Sequence, residues 1–311
     1  MTVLLATNKR DVTTDFIALE LERRALAFHR LNTEDMLEYR VLLPNGDPSC
    51  MRLVNRTREL ELSEVTGAYY RRPLPPEIPH NAPSTAAYMQ AEWSAILRSV
   101  WNALEGRWLN CPFAILRAED KPRQLAVARA EGLQVPRTLI TNDAEHAKNF
   151  LADGAIVAKP LRHALIEDGG AGKVVFTSRI EQDNGLTGIE SAPVILQSEV
   201  PKRADVRVIV VDDQVFATMI ESQAHEETSV DWRKGVRTDL EHRAFTLPHE
   251  VEKACVAVTR SLDLRYSAID LVEDPDGTFW FLEANPNGQW AWIEQRTGAR
   301  IAEAIVSGLV R

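Results

Sequence analysis

Apolar runs and helically spaced apolar positions alternate at the start of the chain. The run TVLLAT at residues 2–7 predicts a β-strand, the spacing from Thr14 to Leu26 predicts a helix, and AFHRL predicts a second strand. This strand–helix–strand order predicts an α/β layer. We expect a further strand pair around residues 39–54, turned at Pro44-Asn45-Gly46-Asp47, because Asn-Gly is a strong turn signal.

A strand and a long amphipathic helix follow. VTGAYYRRP predicts a strand that stops at Pro73, before the irregular segment PLPPEIPHNAPS. From Ala86 to Leu104 the apolar residues recur at the i, i+3, i+4, i+7 spacing of one buried helix face. We interpret the aromatic residues of that face as core packing. The face comprises Met89, Trp93, Ile96, Leu97, Val100, Trp101 and Leu104.

The middle of the chain mixes short helices and strands. A helix is predicted from Lys121 to Glu131, ended by Gly132, the residue type that most often follows a helix. Asn142 with Glu145 three residues later predicts a capping box at the start of a short helix. The predicted strands are VPRTLIT, AIVAKPL and VVFTS, with the Gly-rich connection EDGGAGK between the last two.

The last third is rich in strand patterns. Helices are predicted at about His249 to Leu262 and Gly298 to Val310. The predicted strands are VILQSEV, DVRVIVV with its continuation VDDQVFATMIES, and the hairpin YSAIDLV–DPDG–TFWFLEA. The fold class is therefore α/β with α+β character. We place domain boundaries near residues 115 and 196, which divides the chain into 1–115, 116–196 and 197–311.

Composition excludes several classes of protein. The 311 residues are 45% hydrophobic and 26% charged, which is ordinary for a soluble globular protein. No apolar run is long enough to span a membrane, and the N-terminus does not resemble a signal peptide, so we expect a cytoplasmic protein. The net charge of −9 argues against nucleic-acid binding. Cys50, Cys111 and Cys255 are scattered, which predicts neither a disulfide framework nor a zinc site.

The terminal hairpin carries the first candidate chemistry. If Pro275 and Asp276 form a two-residue loop, Asp270 faces Phe281, and both share one face with Glu283 and Asn285, because strand side chains alternate with period two. Two carboxylates and an amide oxygen suit Mg²⁺, which completes its shell with phosphate and water. A solvated hairpin edge explains the same residues equally well.

Cationic residues form a second group. Lys121 opens a helix, and Lys159 closes an apolar strand, which suits a point charge aimed at a phosphate. Asp205 and Arg207 lie two apart on one strand, and either an internal ion pair or an Arg set against phosphate explains them. Gly169, Gly170 and Gly172 form either a loop over phosphates or a plain hairpin loop.

A possible purine-binding edge lies between the middle and last thirds. Gln197-Ser198-Glu199-Val200 alternates hydrogen-bond donors and acceptors, although strand residues that merely face solvent explain it as well.

Taken in order, these segments resemble the ATP-grasp superfamily, and most closely its ligases of microviridin-type (graspetide) ribosomal peptide maturation. The resemblance rests above all on the ending EANPNGQW. The other matching segments are AYYRRP, NCPFAILRAEDKPRQLAVARAEGLQVPRTLITN, IVAKP, VVFTS, LQSEVPKRADVRVIVV, SVDWR and YSAIDLV. The resemblance implies a pre-ATP-grasp N-terminal domain, a central lid, and a C-terminal antiparallel-sheet domain, with ATP between the last two.

The resemblance also implies roles for individual residues. The phosphate contacts would be Lys121, Lys159 and Arg207. The adenine segment would be Gln197, Glu199 and Val200, with Lys202 and Asp205 near the nucleotide. The Mg²⁺ ligands would be Asp270, Glu283 and Asn285. Candidates to hold the acceptor carboxylate, by motif position, are Arg233 and either Arg71 or Arg72, although surface arginines explain these positions equally well.

The implied function is the ATP-dependent formation of ω-ester or ω-amide links in a precursor peptide with a leader and a core. The resemblance also suggests a homodimer. Two alternatives stay open. One is a ligase that joins an amino acid to a small molecule or a protein terminus, and the other is a catalytically silent ATP-binding or peptide-binding module. The sequence shows no dedicated base for the attacking hydroxyl or amine.

Overall fold

The protein begins with a three-stranded parallel sheet, followed by a small antiparallel one. Its structure, a computed structural model, describes residues 2–79, 82–162, 165–168, 171–174, 177–180, 186–225, 228, 230–232 and 239–311. The parallel sheet has the order β2-β1-β6 and the antiparallel sheet the order β3-β4-β5. The strands are β1 (Thr2–Thr7), β2 (Phe28–Asn32), β3 (Arg40–Leu42), β4 (Arg52–Val54), β5 (Glu59–Glu61) and β6 (Val65–Tyr70).

The described part of the N-terminal third also contains three α-helices. Helix α1 (Val12–Arg23) starts earlier than predicted because the Asp11 carboxylate accepts a hydrogen bond from the Thr13 N–H and caps it. Helix α2 (Pro83–Ala103) buries Leu97, Val100 and Trp101, so the predicted apolar face is buried mainly in its C-terminal half. Helix α3 (Pro112–Ala118) was not predicted.

The middle of the chain forms a four-stranded antiparallel sheet of order β11-β8-β12-β7. The predicted cap at Asn142 is wrong, because Asp143 accepts the His146 N–H and starts helix α5 (Ala144–Leu151). Helix α4 (Lys121–Ala130) ends as predicted before Gly132, whose φ is +87°. The strands are β7 (Thr138–Thr141), β8 (Ile156–Lys159), the paired β9 (Leu165–Asp168) and β10 (Ala171–Val174), β11 (Ser178–Arg179) and β12 (Val194–Ser198).

Gly169 and Gly170 lie outside the described residues, whereas Gly172 belongs to β10.

A five-stranded antiparallel sheet of order β15-β14-β13-β16-β17 forms the C-terminal part. The helix predicted from Gly298 to Val310 is present but starts later, at Ile301, because Gly298 has a φ of +73° and ends a preceding helix that was not predicted. The strands are β13 (Ala204–Val211), β14 (Gln214–Ile220), β15 (His242–Phe245), β16 (Tyr266–Glu273) and β17 (Phe279–Asn285), and the helices are α6 (His249–Ser261), α7 (Ala291–Thr297) and α8 (Ile301–Leu309).

Both faces of the five-stranded sheet are buried. One face packs against α3, α4 and α6, through residues such as Ile115, Leu125 and Val258. The other face packs against α1, α8 and β1, which joins the C-terminal sheet to the parallel sheet. Helix α4 therefore packs on the C-terminal sheet although it lies in the segment predicted as central, and the predicted boundary at residue 196 falls inside β12. Each of the described helices is too short or too polar to span a lipid bilayer.

A buried histidine in the N-terminal sheet predicts a pH-dependent stability. Burial, with a smaller contribution from Arg58, lowers the pKa of His29 to about 4, and its Nε2 lies 3.1 Å from the Tyr39 hydroxyl. The unfolded chain, with a His pKa of about 6.5, takes up a proton that the folded chain does not. The free energy of unfolding will therefore fall as pH falls from about 6.5 to 4, by up to ~1.4 kcal/mol per pH unit.

Urea unfolding of the wild type and of His29→Gln across this pH range measures the effect. We expect the free energy of unfolding of the variant to depend less steeply on pH than that of the wild type. Equal pH dependence in the two proteins would contradict the assignment to His29.

Candidate active site

The strand pair β16–β17 carries the predicted metal ligands, and its register differs from the prediction. The connection runs from Asp274 to Thr278, closed by a hydrogen bond of 3.0 Å from the Asp274 N–H to the Thr278 carbonyl, and is therefore longer than the two residues assumed. Leu271 lies opposite Phe281. A β-bulge between Asp270 and Leu271 then places Glu283 opposite Asp270, so the predicted pairing of Asp270 with Phe281 is wrong.

The bulge decides which side chains share the candidate site. Phe281 is fully buried in the core with Leu271, on the face opposite to the predicted one. Asp270, Glu283 and Asn285 converge on the other face: the Asn285 amide donates to Asp270 Oδ2 at 3.4 Å and to Glu283 Oε1 at 3.2 Å. The structure therefore brings together the three predicted metal ligands.

The oxygen donors of this cluster fit a hard divalent cation. Two carboxylates share one hydrogen-bond donor, the Asn285 NH₂ group, at a place that a cation could take. Asn285 would present its Oδ1 after rotation of the amide. In the part of the chain that the structure describes, no group of three or more His, Cys, Asp or Glu side chains could hold a metal by itself. Asn285 or substrate oxygens would have to complete the coordination.

Arg207 forms a buried ion pair with one of these candidate ligands. Its Nη1 donates to Asp270 Oδ1 at 2.6 Å, across the β13–β16 register that places the two residues opposite each other. Both side chains are about nine-tenths buried. The Arg207 Nε is buried and has no hydrogen-bond partner among the residues that the structure describes. An unsatisfied guanidinium N–H beside the carboxylates is chemically suited to a phosphate oxygen.

The sequence left open an internal ion pair between Asp205 and Arg207. The structure does not show this pair. The Asp205 carboxylate instead accepts from Lys202 Nζ at 3.0 and 3.2 Å, and burial raises the pKa of this carboxyl. Lys202 also donates to the Val230 carbonyl at 2.8 Å. This buried pair ties the start of β13 to Val230.

The two predicted phosphate lysines approach from different elements. Lys121, at the start of α4, lies 3.5 Å from Glu283 Oε2 and donates to the Pro160 carbonyl at 3.0 Å. Lys159, at the end of β8, donates to Gln197 Oε1 at 2.6 Å. The structure thus brings Lys121 to the metal-ligand strand and Lys159 to the predicted adenine segment.

The side chains of the adenine segment are engaged within the protein. Gln197 is buried and donates to the Thr138 hydroxyl at 3.0 Å. Glu199 forms an ion pair with Arg179 at 2.6 Å, and Val200 is half-buried. The backbone of the segment is engaged as well, since the N–H groups of Ser198 and Glu199 donate to the Arg137 and Ala155 carbonyls at 2.9 and 2.8 Å.

The candidate carboxylate-binding arginines have different environments. Arg71 is 1% exposed and its Nη1 donates to the carbonyls of Asn287 and Gly288, so it is a structural residue. Arg72 has a left-handed φ of +45°, and its pKa is lowered by desolvation and then by the neighbouring cations Arg71 and Arg207. Arg233 lies outside the described residues. Arg72 therefore stays the better placed of the two neighbours for a negatively charged ligand.

The sheet, the paired carboxylates and the surrounding cations define the class of protein as an ATP-grasp protein. The chain belongs to the RimK-like ATP-grasp family, whose model matches residues 118–309. The family match confirms the fold class and the superfamily resemblance predicted from the sequence.

Individual relatives extend the match to the whole chain. The structure of macrocyclase MdnC from Microcystis aeruginosa MRC, bound with precursor peptide MdnA, is similar at a TM-score of 0.87 and 28% identity, over 100% of this chain and 99% of that one. A RiPP-associated ATP-grasp ligase from Chryseobacterium gregarium, in complex with ADP and a leader and core peptide, gives 0.87 and 25%, over 99% of this chain and 96% of that one.

A probable alpha-L-glutamate ligase of Xylella fastidiosa strain M12 is 27% identical over 201 residues. The match covers 62% of this chain and 64% of the relative.

Proposed function

We propose that the protein is an ATP-dependent ligase that forms ω-ester or ω-amide links in a precursor peptide. It would activate Glu or Asp side chains of the core as acyl phosphates, while a leader segment binds the enzyme. The observation that carries the proposal is the similarity of the whole chain, including its N-terminal sheet, to a macrocyclase bound with a precursor peptide. The cluster of Arg207, Asp270, Glu283 and Asn285 provides the matching chemistry within this chain.

The predicted residue roles are retained as part of this proposal. Arg207, Lys121 and Lys159 would contact phosphate groups of ATP. Asp270, Glu283 and Asn285 would hold Mg²⁺, which when bound neutralises negative charge on the phosphate oxygens. The adenine contacts would come from Gln197, Glu199 and Val200, supported by Lys202 and Asp205.

The reaction needs two displacements, each with a clear task for the protein. A carboxylate oxygen of the core attacks the γ-phosphorus, the bond to the β-phosphate oxygen breaks, and ADP leaves. A hydroxyl or amine of the same peptide then attacks the acyl carbon and expels phosphate, so each link removes one water from the peptide. Arg72 and Arg233 would hold the acceptor carboxylate, since the planar guanidinium can bind both of its oxygens.

A second candidate function is the addition of glutamate to a small molecule or a protein terminus. It is favoured by the sequence relatives that carry the name probable alpha-L-glutamate ligase. Those matches cover 62% and 65% of the chain. The macrocyclase similarity covers it completely. We therefore rank the peptide ligase first.

Mass spectrometry separates the two functions. The protein is incubated with ATP, Mg²⁺ and a candidate precursor whose core contains Glu or Asp and Thr or Lys. We expect the peptide to lose one water mass per link, with one ADP formed for each. A parallel reaction contains free glutamate and an acceptor peptide. Gain of glutamate residues there, without loss of water from the precursor, would overturn the proposal in favour of the second function.

The three-domain division and a homodimer also belong to the proposal. Sedimentation analysis of the purified protein tests the dimer, and a monomer at all concentrations would contradict it.

A further inference from the structure

The strand that carries Glu283 and Asn285 lies at the outer edge of its sheet. Among the described residues, strand β17 pairs with β16 on one side, and on the other it has no partner strand but only a single β-bridge from Trp280 to Gln134. Backbone N–H and C=O groups at a buried edge must find other partners, because an unpaired buried polar group is costly. Upstream, the Phe281 N–H donates to the Gln134 carbonyl at 2.7 Å. At Ala284, between the two candidate ligands, a side chain takes the place of a strand.

That side chain is the carboxamide of Gln124. Its Oε1 accepts the Ala284 N–H at 3.0 Å, and its Nε2 donates to the Ala284 carbonyl at 2.7 Å. Nε2 also donates to the Ala118 carbonyl at 2.7 Å. Gln124 is 4% exposed and Ala284 is 2% exposed. The amide thus forms the same pair of hydrogen bonds with Ala284 that a neighbouring strand would form, and both of its donor hydrogens are used.

The same helix face presents a cation to the same strand. Lys121 and Gln124 lie three residues apart on α4, and residues at this spacing are neighbours on a helix surface. Lys121 reaches Glu283 while Gln124 holds the next residue. One turn of α4 therefore sets both the charge beside a candidate metal ligand and the position of its backbone.

Two further buried side chains continue this arrangement after β17 ends. The Asn110 amide donates to the Pro286 carbonyl at 3.1 Å and to the Tyr266 carbonyl at 2.8 Å, which ties the end of β17 to the start of β16. Arg71 then donates to the next carbonyls along the chain, at Asn287 and Gly288. The backbone from Ala284 to Gly288 is held at three successive places by side chains from the N-terminal half of the chain.

We propose that Gln124 is a positioning residue for the metal site, acting through the backbone of Ala284. An apolar side chain would fill the same space, but only an amide satisfies both backbone groups of Ala284. Its loss would let the strand edge move and would loosen the two side chains that flank it, Glu283 and Asn285. The inference rests on the proposed metal-binding role of these two residues and does not depend on which substrate is ligated.

The test compares Gln124→Met with a matched control, Thr259→Val. Thr259 is also buried, and its hydroxyl donates to the Cys255 carbonyl and hydrogen-bonds the Ser267 hydroxyl near the start of β16. Calorimetry measures Mg²⁺-dependent binding of a non-hydrolysable ATP analogue, and urea unfolding measures stability. We expect Gln124→Met to weaken the Mg²⁺-dependent binding by roughly 10- to 100-fold, the range found when residues that support metal ligands are removed. Thr259→Val will lose stability while binding changes less than about 2-fold.

A second variant keeps the test decisive if Gln124→Met does not fold. Gln124→Asn keeps the amide and buries no charge, but its side chain is one methylene shorter and cannot reach all of the Ala284 and Ala118 groups that Gln124 bonds. We expect it to bind the analogue with an affinity between those of the wild type and the methionine variant. Unchanged Mg²⁺-dependent binding in a folded variant would overturn the inference, as would equal weakening by Thr259→Val. Nucleotide binding is measured without peptide. The result therefore tests the role of Gln124 even if the protein proves not to ligate a precursor peptide.

Discussion

Replacing Glu283 with Gln will abolish link formation while the protein stays folded. The change removes one negative charge and exchanges a carboxylate oxygen for an NH₂ group, in a cluster whose Asn285 already presents NH₂. The charge that offsets Lys121, 3.5 Å away, is lost as well. Removing one preorganised group that stabilises transition-state charge lowers a rate by about 10²- to 10³-fold. We expect a loss at least this large in the rate of water loss from the precursor, followed by mass spectrometry.

Stability changes little in the same variant, because Gln keeps the shape of Glu and an oxygen that can accept from the Asn285 amide. The change also removes the repulsion between the neighbouring Glu283 and Asp270 carboxylates, which offsets the loss of the Lys121 pair. The matched control is Glu273→Gln, an acid at the other end of the same hairpin that pairs with Arg203 at 2.7 Å. Link formation should survive this change. If Glu283→Gln still forms links at a wild-type rate, the metal assignment is wrong.

The pattern of the sequence predicts this hairpin but not its geometry. A longer turn alone would shift the register by one residue and move Glu283 to the face opposite Asp270. The bulge then moves Glu283 back, so the two departures from the simple hairpin cancel at the metal cluster and leave Phe281 on the other face. Neither Gly nor Pro stands at residues 279–285, so the sequence carries no signal for the bulge.

The ends of helices were predicted reliably where a single residue, such as a glycine, determines the local backbone conformation. Gly132 ends α4 as predicted, since only a left-handed residue continues the chain there. The same residue type misled the prediction at Gly298, which was taken into a helix instead of separating α7 from α8. Asn142 and Asp143 are adjacent, and both residue types are good helix caps, so the sequence does not decide between them. In the structure the helix begins directly after Asp143.

Long-range partners could not be derived from the sequence. The pairing of Arg207 with Asp270 depends on the register between β13 and β16, which lie far apart in the chain. Gln124 stands inside an ordinary helix pattern, and its contact with Ala284 depends on how α4 packs on the sheet. Both contacts lie at the candidate site, where tertiary packing rather than local propensity sets the geometry.

Removing either partner of the Arg207–Asp270 pair will destabilise the protein more than removing both. Each single change, Arg207→Met or Asp270→Leu, leaves one buried charge without its partner, which costs about 3–5 kcal/mol. The double variant removes both charges of the pair, and well-packed apolar replacements for a buried pair are often neutral or stabilising. Urea unfolding of the four proteins measures the cycle, and we expect the double variant to recover most of the stability lost in either single one.

The rate of link formation, unlike stability, will not recover in the double variant. All three variants lack a group that would contact phosphate or metal, so we expect at least about a 10²-fold loss of rate in each, including the stable double variant. Among the described residues the buried Arg207 Nε has no hydrogen-bond partner, so its N–H is available to donate to a phosphate oxygen. A double variant whose stability loss equals the sum of the single losses would contradict the coupling, and an active double variant would remove the pair from the chemistry.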